Sequence, residues 1–285
     1  VFGATDVYVV GGAVYKSTDG KSWKDVSPSD TKGNSLSGGL SGYSMFAFAE
    51  DDYWLVHSGI IFHVFGPQAQ DYRFGPSTVN GPLHTCWGTN SNDMYAVGDG
   101  GTILHFDGGS WTKMPSGTTK DIGNIWGTSD QNIWAAGWNV HTNVAVLLHY
   151  DGTSWQEVTQ PNSADETIAV WTCDTSQAHN AYCSGSYFYH ESGGNPWSVD
   201  TLGNSLGSGS YAGLNVIRGN RANDIFVEGA GGYLAHWSGK SWITYKQFFN
   251  FYGGSHDAYN LSVNGNTVCM VGVDGGAGWV VIGQR

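Results

Sequence analysis

The stretch "ILHFDGGSWTKM" (residues 103–114) sets a histidine, an Asp-Gly pair and a tryptophan close together. His105, Asp107 and Trp111 are the residue types of a general base, an orienting carboxylate and an aromatic platform for a substrate. Such a constellation belongs to a reaction centre only if the chain carries it once. It recurs.

"WGTNSNDMYAVGDGGTILHFDGGSW" starts at Trp87, and "WGTSDQNIWAAGWNVHTNVAVLLHYDGTSW" starts at Trp126. "RGNRANDIFVEGAGGYLAHWSGKSW" starts at Arg218, and a weaker copy starts at Trp171. Their closing tryptophans, Trp111, Trp155, Trp197 and Trp242, stand 44, 42 and 45 residues apart. Two degenerate copies precede them, near Val1 and Tyr43, and a partial copy closes the chain. His105 returns as His149, His190 and His236, with His63 a looser match. Catalytic groups do not repeat once per structural unit, so these histidines read as scaffold with local bonds.

The elements that position them follow from the period. Each unit reads as four short strands separated by a polar turn, a Gly-rich turn and an Asp-Gly turn. A period of 40–45 residues with four strands marks a β-propeller blade. The expected fold is all-β: a seven-bladed β-propeller in a single domain, residues 1–285, with four antiparallel strands per blade. The blades fall at 1–28, 43–75, 83–115, 123–159, 168–200, 214–246 and 259–285. The last unit stops at its third strand, so that blade is expected to be incomplete unless residues beyond the chain complete it. Composition agrees: 43 glycines, 14% aromatic and only 13% charged residues suit short strands and tight turns rather than long helices.

The turns carry a resemblance. "STDGKSW" (17–23) resembles the Asp-box turn of sialidase-like propellers, shortened by one residue, and "FDGGSW", "YDGTSW" and "WSGKSW" are its cousins. The whole pattern is similar to the Trp-Gly / Asp-Gly-x-Ser-Trp repeat proteins found among secreted proteins and lipoproteins of myxobacteria. That resemblance implies the fold, a carboxylate capping its own turn, and a tryptophan packed between blades. It does not imply an activity.

The net charge of −12, with 12 basic residues, leaves no patch to neutralise phosphates, which argues against nucleic acid as a partner. No apolar run approaches membrane-spanning length. Few lysines, many small polar residues and a local disulfide suggest an extracellular or cell-surface setting. Cys173 and Cys183 are the expected pair, with Cys86 and Cys269 free.

If the repeat is scaffold, its departures are where binding residues belong. Propeller topology puts the short, self-similar turns on one face. The irregular links 27–42, 75–84, 115–124, 159–169, 200–215 and 246–260, with the insertion 137–146, go to the other. Trp138 and His141 have no counterpart in other blades. Tyr252, His256 and Asp257 flank a Gly-Gly turn. These five are the candidate ligand-binding residues, and a neutral glycan is the expected ligand, since loop aromatics with Asn, Asp and Ser suit sugar faces and hydroxyls. A surface protein docked on the same face is the alternative, as a structural or protein-interaction role.

Enzymatic readings are weaker. A sialidase clamps its substrate with three arginines, and Arg73, Arg218, Arg221 and Arg285 are not placed to converge. A hydrolase needs two facing carboxylates; Asp121, Asp165, Glu166 and Asp257 share the irregular face without a distinguishing spacing. A lyase would cast His256 with Tyr252, or His141, as base and acid, but lacks the positive charge that holds a uronate. No catalytic residue is assigned. No cofactor motif is present, "GVDGGAG" (272–278) opens no helix, and a calcium ion held by loop oxygens has no supporting motif.

Overall fold

A computed structural model of the chain describes residues 6–40, 42–139, 144–159, 167–174, 179–185, 188–192, 197–199, 214–229, 233–245, 256–274 and 277–284. Every regular element there is a strand. The first sheet holds β1 (Val7–Val10), β2 (Val14–Ser17) and β3 (Lys24–Asp25). The second joins β4 (Ser29–Asp30) to β5 (Ser44–Ala49), β6 (Asp52–His57), β7 (Ile60–Phe65) and β8 (Gln68–Arg73). The third is β9 (Leu83–Asn90), β10 (Asp93–Gly98), β11 (Thr102–Phe106) and β12 (Trp111–Lys113). The fourth is β13 (Asn124–Ser129), β14 (Asn132–Asn139), β15 (Val144–Tyr150) and β16 (Trp155–Glu157).

The fifth sheet is β17 (Thr167–Asp174), β18 (His179–Gly185), β19 (Phe188–Ser192) and β20 (Ser198–Val199). The sixth is β21 (Leu214–Arg221), β22 (Asp224–Gly229), β23 (Tyr233–Trp237) and β24 (Trp242–Thr244). The seventh has three strands among the described residues, β25 (His256–Asn264), β26 (Thr267–Asp274) and β27 (Ala277–Gln284), as the sequence of the last repeat led us to expect. These seven sheets in chain order are the blades of a seven-bladed β-propeller.

The chain divides into two compact units: Val1–Ala135 with Leu148–Glu157, and Ala136–Leu147 with Val158–Arg285. In the first, Trp54, Val56, Ile61, Leu83, Met94, Leu104 and Phe106 form one buried cluster between the second and third blades. In the second, Val216, Phe226, Leu261 and Met270 do the same between the sixth and seventh. Second strands such as β10 (DMYAVG) and β22 (DIFVEG) are buried on both faces and so read as near-continuous apolar runs. The outer strand β12 is largely exposed.

Several features depart from the sequence expectation. The link after the first blade contains β4, which pairs in parallel with β8 and makes the second blade five-stranded. His256 and Asp257 begin β25 and pair with Asp274 and Val273, so they belong to the inner strand rather than to the preceding link. The expected Cys173–Cys183 disulfide is absent, and all four cysteines are buried outside any disulfide. The register explains this: Cys173 lies opposite Asn180, and Cys183 opposite Val170. An offset of three residues separates the two thiols along the hairpin and, because side chains alternate, turns them to opposite faces.

Candidate functional site

The two ends of a blade are built differently, and the third blade shows both. At one end Asp107 Oδ1 accepts from the Gly109 and Ser110 amides, at 2.9 Å each. Asp19 and Asp151 cap their own turns in the same way. These backbone bonds hold the Asp107 and Asp151 carboxyls below the usual carboxylate range. Gly108, at φ +89°, lies against Asn92 of the β9–β10 turn, so the two short turns of the blade meet.

The recurring histidines belong to this framework. His105 Nε2–H donates to Asp93 Oδ1 at 2.7 Å while its ring stacks on Tyr95 at 4.5 Å. His63 repeats this with Asp52 and Trp54, and His236 with Asp224 and Phe226. His149 and His190 use Asn132 and Asn180, beside Trp134 and Tyr182. The partner is thus the Asx residue opening the second strand, two positions before the stacked aromatic, rather than the Asp-Gly turn. Every bond stays within its blade. Replacing His105 by Ala is expected to cost about 1–2 kcal/mol, one charge-assisted hydrogen bond and part of a ring stack. Denaturant titration checks this, and a loss of ligand binding at unchanged stability would contradict it.

The other end of the third blade carries a depression of about 510 Å³, formed by Asn80, the Gly100–Gly101 turn and the segment Lys113–Lys120. Asn80 is fixed from two sides: its amide N–H donates to Thr102 Oγ1 at 3.0 Å, and Nδ2 donates to the Gly100 carbonyl at 2.6 Å. Its Oδ1 then accepts from Lys113 Nζ at 3.1 Å. Gly101, at φ +71°, brings the turn so close to the Thr118 carbonyl that no side chain fits there. Buried Ser116 closes the Ser116–Thr118 turn. Lys120 is paired with Glu157 at 2.6 Å, and Asp121 Oδ1 accepts from the Gly100 amide at 2.9 Å.

Near this end His84 Nε2–H donates to Asp99 Oδ1 at 2.6 Å, both side chains being about a third or more exposed. Asp99 lies against Gly81, so the pair adjoins the depression. A histidine oriented by a carboxylate supplies two of the three members of a nucleophilic triad. Among the described residues no hydroxyl or thiol is hydrogen-bonded to His84. Nor do the described residues group three potential metal ligands.

Of the sequence candidates, Trp138 lies on β14 rather than in a link, and its side chain is outside the described residues. His141 and Tyr252 are outside them altogether, as are the side chains of His256 and Asp257. Asn80 lies in the irregular stretch 75–84, and His84 at its end is already on β9, so the stretch was singled out though these residues were not. Lys113 was missed because it closes the "SWTK" strand that reads as scaffold.

No family model matches the chain, and no curated protein does. Among solved structures it is similar to YCF48 from Cyanidioschyzon merolae, at 14% identity and a TM-score of 0.71, over 100% of this chain and 94% of that one. The likeness is one of fold. YCF48 bound to a D1 peptide is similar at 12% identity and a TM-score of 0.69, over 99% and 88%. The computationally designed Ika8 protein is similar at 12% identity and 0.61, over 100% and 82%. No helix among the described residues is long and apolar enough to cross a membrane.

Proposed function

We propose that the chain is a non-catalytic recognition module that binds an extended polypeptide segment at the loop end of its third blade. The observation that carries this reading is the contrast between the blade's two ends. One end is consumed by turn caps and Asx–His–aromatic staples repeated in other blades. The other opens into a depression of the size ligands occupy, formed in part by the irregular links 75–84 and 115–124. A propeller of similar fold has been solved with a peptide bound. The turn caps of Asp19, Asp107 and Asp151 support an Asp-box-like kinship. The cell-surface setting stays part of the proposal, although it no longer rests on a disulfide.

A neutral glycan is the second reading. It is favoured by the amide and hydroxyl groups of Asn80, Thr118 and Thr119. The intact chain should be screened on a peptide array and a glycan array, with Thr119→Trp filling the depression and Thr153→Trp altering the opposite end of the neighbouring blade. Peptide retention that falls about tenfold with Thr119→Trp alone is the expected result. Retention of neutral oligosaccharides only, unaffected by Thr119→Trp, would replace this proposal.

A further inference from the structure

Resting on that reading, we infer that the depression recognises a carboxylate on the bound polypeptide, with Lys113 as the group that reads it. The chain carries 24 acidic residues against 12 basic ones, yet no acid lines this depression and two of its lysines do. The two lysines differ. Lys120 is neutralised by Glu157 at 2.6 Å. Lys113 is exposed, and its one hydrogen-bond partner among the described residues is the neutral Asn80 carbonyl oxygen. Lys16 shows the contrast, being held by Asp6 and Glu50.

The geometry sets this cation in place without cancelling its charge. Asn80 is locked by its bonds to Thr102 and Gly100, so its Oδ1 is presented to Lys113 in a fixed direction. An ammonium group has three donors. One is spent on Asn80, and two remain for a ligand. The net charge selects the kind of anion. At −12 the chain repels polyanions at long range, which disfavours nucleic acids and polyuronates. A single carboxylate on a near-neutral peptide meets little of that repulsion and gains the local pairing. Side-chain and C-terminal carboxylates share this chemistry.

The test titrates the full chain with three N-acetylated peptides: Ac-GSESG-NH2, Ac-GSQSG-NH2, and Ac-GSQSG with a free C-terminus. Amide shifts of Gly100, Gly101 and Gly117–Thr119 are followed by NMR. At least one carboxylate peptide should bind about fivefold more tightly than the neutral peptide, the scale of one exposed ion pair at ~1 kcal/mol. Whichever binds identifies the source. The advantage should vanish in Lys113→Gln, survive in Lys113→Arg, and shrink as salt is raised. Equal binding of all three peptides, or an advantage that survives Lys113→Gln, overturns the carboxylate inference while leaving peptide recognition standing. Absence of binding by any of the three, in a chain that retains other peptides on the array at these same amides, also overturns it. If no peptide binds anywhere, the function proposed above fails with it.

Discussion

Trp54→Ala is expected to lower unfolding stability by about 3–5 kcal/mol, the range for emptying a large aromatic site in a well-packed core. Trp54 is fully buried at the centre of the cluster joining the second and third blades. Its indole stacks on His63 at 4.1 Å and meets the edges of Phe106 at 5.1 Å and Trp111 at 5.5 Å. Phe106 and Trp111 belong to the third blade, so the cavity would weaken an interface as well as a sheet. The indole N–H has no hydrogen-bond partner among the described residues. Trp54→Phe therefore removes an unsatisfied donor while keeping a ring against His63, and should cost less than about 1.5 kcal/mol. Denaturant midpoints of the two variants separate the terms. A Trp54→Ala protein within about 1 kcal/mol of wild type would mean that this cluster does not hold the blades together.

The same residues show why the fold was legible in the sequence. Trp111 and Trp242 close units of fixed period, and each packs against the preceding blade, on Trp54 and on Phe188 respectively. A sheet buried on both faces needs that aromatic at a constant register, so the spacing of tryptophans is a direct trace of blade stacking. The Asp-Gly turns are equally local, since carboxylate, amides and positive-φ glycine lie within four residues. What stayed hidden depends on pairing between distant segments. The parallel addition of β4 to β8 leaves no periodicity in Ser29–Asp30. The cysteine pairing failed because parity along a hairpin depends on register, which the turn sequence 174–182 does not fix.

The candidate site was legible in part, for the same reason. Irregular links pointed to the end of the blade that carries the depression, because a turn that breaks the repeat is free of the scaffold's demands. They did not point to Lys113, whose character comes from Asn80, 33 residues earlier in the chain. A lysine closing an outer strand looks like any solvated charge. It becomes distinctive only when its partner is seen to be an immobilised amide rather than a carboxylate.

Gly127→Ala carries the other large expected effect and tests the meaning of the Trp-Gly pairs. A Cβ at Gly127 would stand 2.6 Å from Trp87 Cη2 and 2.9 Å from the Asn132 carbonyl oxygen. Gly219 meets Trp171 of its preceding blade in the same manner, at 3.0 Å. The glycine thus exists to let the neighbouring blade's indole lie against the strand. Elsewhere in a strand, glycine to alanine removes unfolded-state entropy and stabilises by about 0.4–1 kcal/mol when nothing clashes. Here neither a rigid ring nor a backbone carbonyl can yield cheaply, so the sign should reverse, with a loss of about 2–3 kcal/mol. Gly283→Ala is the control, since a Cβ there meets nothing within 4 Å, and it should be neutral or slightly stabilising. Adding Trp87→Phe should recover part of the Gly127→Ala loss, because the six-membered ring edge is the nearest obstacle, and a double-mutant cycle measures that coupling. If Gly127→Ala instead matches Gly283→Ala in stability, the Trp-Gly pair is not a packing joint between blades, and the repeated tryptophan must answer to some other constraint.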